Sequence, residues 1–272
     1  MTVLKELAEE LALPLTLLLN KCFETGQMPS DWKTANVSCI FKKGSKIDPG
    51  NYRPVSLTCV ICKMAESFLK DHIYNFVEEK IFFSDCQHGF RRARPCTTQL
   101  IQFTETLSDR LDNGEITDIL YLDFQKAFDK VPHKQLLLKI KALGISGPIF
   151  KFIEDFLKDR KQRVAVEREY SEWTEVKSGI PQGSILGPLL FIIFINDLPD
   201  QIKNLCKIFA DDTKIYGQPS IDLQSDLDTA VEWSDRWQMT FNPTKCTVLH
   251  MGEKNAKKAY YMKTKKRRHS PD

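Results

Sequence analysis

At 272 residues the chain is long enough to bury one large core or two modest ones, and 42% hydrophobic with 28% charged residues excludes a disordered or fibrous class. The formal charge of +3 is unevenly placed: from Glu253 onward eight Lys or Arg stand against two acids, a net of +6, so the body before it is at −3 and net charge alone names no nucleic-acid partner. No stretch has the order of a secretory signal, no apolar run reaches the ~20 residues that span a bilayer, and eight irregularly spaced cysteines fit reduced thiols; the expectation is an intracellular protein, nuclear or cytoplasmic, not secreted and with no membrane partner.

Leu4, Leu7, Leu11, Leu15, Leu18 and Leu19 recur at helical spacing, and Pro14 predicts a break into two short amphipathic helices. Residues 37–41 read as a strand entering a basic loop with Lys42 and Lys43, then the turn Asp48-Pro49-Gly50-Asn51, then Arg53 at the head of a second extended stretch. Residues 58–80 form a long helix with one apolar face. Cys59 and Cys62 have zinc-ligand spacing, but Cys86 and Cys96 make no second knuckle, so structural zinc is not expected. Residues 87–91 are a loop, and 97–111 a helix closed by Asn113-Gly114.

Residues 119–123 alternate so that Ile119, Tyr121 and Asp123 share one strand face, which leaves a carboxylate at the strand's end. A helix carrying Leu136, Leu137 and Ile140 follows, then the breaker 144–148 and a helix over 150–157. Residues 164–166 and 174–176 predict a hairpin that brackets Trp173. Residues 178–188 are too rich in Gly and Pro for a core element and open an apolar helix that Pro199 ends. Residues 207–217, K-I-F-A-D-D-T-K-I-Y-G, read as a hairpin with Asp211 and Asp212 at its tip. A helix from Leu223 to Trp237, a turn over 241–245 and a strand from Thr247 complete the body. Residues 253–272 are a basic tail, expected to be disordered and to serve as a nuclear-localisation signal or phosphate contact.

Strands and helices mix without strict alternation, so the class is α+β with an antiparallel core sheet. Two adjacent carboxylates repel each other and invite a divalent cation. With Asp123 as a third, 88 residues upstream of Asp211, they could hold the paired Mg²⁺ ions of in-line phosphoryl transfer.

Leu122-Asp123-Phe124-Gln125-Lys126-Ala127-Phe128-Asp129, Ser178 to Pro188 with its Pro181-Gln182-Gly183, and Phe209-Ala210-Asp211-Asp212 together resemble the successive palm motifs of reverse transcriptases. Asn51 to Leu57, Gln87-His88-Gly89-Phe90-Arg91 and Ile195-Asn196-Asp197-Leu198-Pro199 resemble more closely the non-LTR retrotransposon enzymes, of the jockey and long-interspersed-element kind. The resemblance runs from about Leu4 to Gly252. It implies a right-hand polymerase palm plus fingers: an N-terminal helical extension at 1–34, fingers at 35–118, the first palm motif at 119–134, a fingers and palm insertion at 135–177, and palm at 178–252. It also implies that the thumb is missing, and with it the question of a partner that supplies one.

By the same resemblance, Asp123, Asp211 and Asp212 are catalytic, and with the Phe124 carbonyl they bind Mg²⁺, or Mn²⁺ in its place. Phe128 is the steric gate against a 2′-hydroxyl, which disfavours an RNA-dependent RNA polymerase. Gln182 and Gly183 face the incoming nucleotide; Lys42, Lys43 and Arg53 hold its triphosphate; Lys245 protonates departing pyrophosphate. Arg91 and Arg92 contact nucleic acid. Partners are an RNA template, a DNA primer and deoxynucleoside triphosphates. The alternative is an inactive remnant that at most binds nucleic acid. Phe209 stands where the family usually has Tyr, and Cys39 where relatives often have Pro.

Overall fold

The computed structural model describes residues 2–219 and 222–263. In chain order the elements are α1 Thr2–Glu6, α2 Ala8–Thr25, β1 Thr34–Phe41, β2 Tyr52–Leu57, α3 Val60–Glu79, α4 Cys96–Asp112, β3 Thr117–Leu122 and α5 Ala127–Lys130. Then follow α6 His133–Ala142, α7 Gly147–Leu157, β4 Lys161–Val166, β5 Glu169–Tyr170, β6 Thr174–Glu175, α8 Gly187–Ile195, β7 Leu205–Phe209, β8 Asp212–Gly217, α9 Leu223–Arg236 and β9 Thr247–Met251. The chain divides into two compact units, residues 1–81 with 133–190, and residues 82–132 with 191–272.

In the first unit β1 is the centre of a five-stranded sheet, in the order β2-β1-β4-β5 with β6 also on β4. β1 and β2 are antiparallel, Asn36 opposite Leu57 through Phe41 opposite Tyr52, while β1 and β4 are parallel, so this sheet is mixed. The expected break at Pro14 falls elsewhere. α2 runs through it, and the interruption comes at Leu7. Pro14 is exposed, so water can reach the Glu10 carbonyl that loses its intrahelical N–H. The hairpin expected between 164–166 and 174–176 is also shifted. β4 turns at Glu167-Arg168 into β5, and β6 pairs with the other end of β4, Lys161 opposite Glu175. α7 buries Phe152, Ile153, Phe156 and Leu157, with the Phe23 and Phe152 rings 5.5 Å apart. The Asp155 carboxylate accepts from Met28 N and Lys33 Nζ, at 2.9 and 2.7 Å.

The second unit is built on an antiparallel four-stranded sheet, β7-β8-β3-β9. β3 is central and buried along nearly its whole length. α4 covers the sheet through Phe103 and Leu107 against Ile119 and Tyr216, with the Phe103 and Tyr216 rings edge to face at 5.1 Å. The Asn-Asp pair after α8 is structural. Asn196 accepts from Ser84 N and donates to Phe82 O, and Asp197 accepts from Trp233 Nε1 at 3.0 Å.

The tail does not leave the body at residue 253. Asp118 is fully buried on β3, and it accepts from Asn255 Nδ2 and Tyr260 Oη at 2.7 Å each, with His250 Nδ1 also at 2.7 Å. Gln224 pairs with the backbone of Tyr261. The basic run Lys265 to Arg268 lies outside the described residues.

Candidate active site

Asp123 follows directly on β3, and Asp212 opens β8. Leu122 pairs with Thr213, so one step further along the antiparallel register Asp123 stands opposite Asp212. Like charges directly opposite on a sheet repel. Burial pushes the Asp212 carboxyl above the ordinary carboxylate range and the Asp123 charge pushes it further, against the pull of Lys214 and Lys245.

The acidic turn closes one residue earlier than its sequence suggests. Phe209 pairs with Asp212, so Ala210 and Asp211 form the two-residue tip and Asp212 belongs to the strand. Ala210 carries the left-handed conformation that two-residue hairpins demand, at φ +57°.

The turn after α9 locks Asp123 from the other side. Asn242 N donates to Asp123 O at 2.7 Å and Gln125 N to Thr240 O at 2.7 Å, while the Phe124 and Phe241 rings stack at 4.2 Å. That turn also delivers Lys245, whose Nζ lies 3.4 Å from Asp123 Oδ2. The same Oδ2 is buried and accepts no hydrogen bond. Among the described residues no three His, Cys, Asp or Glu side chains already form a metal cage. The donor set nonetheless fits a small hard cation: acidic oxygens, one of them buried and accepting no hydrogen bond, in mutual repulsion. Mg²⁺ is normally held by one or two carboxylates, with water and substrate phosphates completing its shell.

Phe128 sits on the short α5, half-buried, its ring stacked on Phe191 at 4.5 Å and edge-on to Phe90 at 6.1 Å. Arg91 is turned inward, over the Phe83 ring at 5.2 Å and donating to Ser84 O, so part of its guanidinium serves the loop's own structure. Arg92 is exposed.

The remaining predicted residues belong to the first unit. Lys42, Lys43 and Arg53 are exposed on and beside the β1–β2 connection. The loop of Gln182 and Gly183 is fastened at three places: Ser56 N donates to Gln182 O at 2.7 Å, His133 Nε2 lies 2.7 Å from Gly179 O, and Glu66 accepts from Ile185 N and Leu186 N at 2.7 and 2.9 Å. Gly183 has φ +108°, and a Cβ there would come within 2.7 Å of Ser56 O.

Two side chains that matter to this geometry went unassigned in the sequence. Glu66 is fully buried in α3, and only its place in an apolar helix face could have signalled it. Gln87 is buried against Ala210, and its signal was the Gln-His-Gly motif, quoted there without a role.

A sequence profile described as reverse transcriptase (RNA-dependent DNA polymerase) matches residues 40–268. The chain is 32% identical over 257 residues to a protein named probable RNA-directed DNA polymerase from transposon BS, of Drosophila melanogaster, covering 89% of this chain and 28% of that protein. It is 30% identical over 247 residues to the RNA-directed DNA polymerase from mobile element jockey of the same species, covering 85% and 27%. The chain thus spans under a third of the length of these relatives. Its fold is similar to apo telomerase from Candida tropicalis, truncated from its C-terminal domain, with a TM-score of 0.59 and 12% identity over 85% of this chain and 52% of that one.

Proposed function

The chain belongs to the reverse transcriptase (RNA-dependent DNA polymerase) family, and from that premise we propose that it is the fingers and palm of an RNA-directed DNA polymerase. It would extend a DNA primer on an RNA template with deoxynucleoside triphosphates. The observation that carries this reading is the pairing of Asp123 with the Asp211–Asp212 turn, with one buried carboxylate oxygen that accepts no hydrogen bond.

In the proposed reaction the primer 3′-oxygen attacks the α-phosphorus, the bond to the β-phosphate breaks, pyrophosphate leaves, and the 3′ proton passes to solvent. Mg²⁺, when bound, supplies Lewis acidity for the attacking and leaving oxygens. Asp123, Asp211 and Asp212 would hold it, with the Phe124 carbonyl as a further oxygen donor. Lys245 pairs with Asp123 and would protonate the departing pyrophosphate. Phe128 excludes a 2′-hydroxyl. Lys42, Lys43 and Arg53 bind the triphosphate, and Gln182 with Gly183 the nucleotide. Arg92 and the outward part of Arg91 contact the nucleic acid.

Primer extension on an RNA template tests this. Products should require Mg²⁺ or Mn²⁺ and fall about a thousandfold in Asp211→Asn or Asp123→Asn, the loss of ~4 kcal/mol of transition-state stabilisation. Binding of template and primer without extension by the wild-type chain would replace the reading with that of a nucleic-acid-binding remnant.

A further inference from the structure

The tightest support of the acidic turn comes from a segment 123 residues away in sequence. Residues 86–88 lie alongside β7 as a short parallel bridge: Ile208 N donates to Cys86 O at 2.8 Å and His88 N to Ile208 O at 2.9 Å. This alignment brings the Gln87 side chain, 1% exposed, onto Ala210. Gln87 Oε1 accepts from Ala210 N at 3.0 Å and from Gly89 N at 2.7 Å, and Nε2 donates to Ala210 O at 3.3 Å. One carboxamide therefore holds both peptide planes that flank the left-handed residue of the turn. The second of those planes carries Asp211. Gly89 completes the support, since a Cβ there would stand 2.2 Å from Ala210 N.

We propose that Gln87 is a positioning residue for the metal-binding carboxylates, a role that rests on the polymerase reading above. Asp211 and Asp212 meet a cation only if the turn before them is held in one shape, and Ala210 is not a residue that adopts φ +57° unaided. A carboxamide offers a donor and an acceptor on one rigid plane at any pH at which the chain is folded. Ionised glutamate lacks the donor and methionine lacks both. A site held within a fraction of an ångström depends on such supporting groups.

The test compares the full chain with Gln87→Met and Gln87→Glu in primer extension across a Mg²⁺ titration, with rates normalised to the folded fraction. Gln87→Met should raise the Mg²⁺ half-saturation about fivefold or more and lower kcat ten- to a hundredfold. Gln87→Glu, which keeps the acceptor, should fall between it and wild type. Hydrogen exchange at the Ala210 amide, read by mass spectrometry without metal or substrate, should quicken in Gln87→Met. A purely structural role would lower the folded fraction and leave the Mg²⁺ half-saturation unmoved; that result, or unchanged exchange, overturns the proposal. An inactive wild type with exchange still quickened in Gln87→Met would strike the polymerase reading and leave the hold on the turn standing.

Discussion

Phe128 and His88 show how single side chains in the second unit take their properties from packing. The Phe128 ring is pinned by a parallel neighbour, Phe191, and an edge-on one, Phe90, so its free edge is held in place. If that edge is what meets the sugar, Phe128→Val should raise the ratio of ribonucleotide to deoxynucleotide kcat/KM by roughly 10-fold or more, the scale on which pockets discriminate by size. An unchanged ratio in single-nucleotide kinetics would place the gate elsewhere. His88 is a different case. It is 2% exposed with neither ring nitrogen hydrogen-bonded, and burial, with Lys207, Arg94 and Arg91 adding to it, lowers its pKa from 6.5 to about 4. The unfolded chain therefore binds the proton more tightly, so stability is full above pH 6.5 and is lost as pH falls toward 4. Between pH 7 and pH 5 this amounts to about 2 kcal/mol. Urea unfolding midpoints at the two pH values should differ less in His88→Leu than in wild type, and equal differences would remove His88 from the account.

At the scale of elements, one carboxylate ties α3 to the loop before α8. Glu66 takes the two N–H groups that lead into α8, Ile185 and Leu186, and thereby anchors the loop carrying Gln182 and Gly183. Burial raises its pKa, and the two backbone donors oppose that rise. Glu66→Leu should cost ~2–4 kcal/mol by stranding two buried donors. Glu66→Gln keeps an acceptor and should cost much less, and thermal melts of the two variants would show whether they separate. None of this was legible beforehand, because a charged residue in a helix carries no mark of what it will meet. The long helices were legible. α3, α4 and α9 announce themselves by apolar period, and β3, β7 and β8 by alternation and turn chemistry. The parallel pairing of β1 with β4 was not, since contacts over more than a hundred residues leave no local period. The hairpin tip differs by one residue from the sequence reading for a related reason: Asp-Asp is good turn chemistry, but the ladder closes at Phe209 opposite Asp212, where Gln87, distant in sequence, bonds to Ala210. The neighbouring strands that carry the aspartates are readable from the sequence pattern. The groups that hold them in place are not.

Over the whole chain the question is where positive charge is fastened. The body is net acidic and the C-terminal residues strongly basic, so the non-specific part of any nucleic-acid affinity should come disproportionately from the latter. The structure describes those residues as far as Lys263. Glu253 to Lys263 run back along the second unit, held by Asn255 and Tyr260 on the buried Asp118 and by Tyr261 on Gln224, so their role is partly architectural. Lys265, Lys266, Arg267 and Arg268 follow, outside the described residues. Two deletions separate the roles. Removing 264–272 should leave the melting temperature unchanged and flatten the dependence of log affinity on log salt by up to about 3, at roughly 0.7–0.9 per phosphate neutralised. Removing 253–272 should flatten it further and also cost ~3 kcal/mol of stability, because the Asp118 carboxylate then loses two charge-assisted donors inside the protein. If the shorter deletion leaves both affinity and slope as they were, the basic run is not a phosphate contact. If the longer one leaves stability untouched, the hydrogen bonds to Asp118 do not hold the tail to the second unit in solution, and the body ends at Gly252, as the motif pattern first implied.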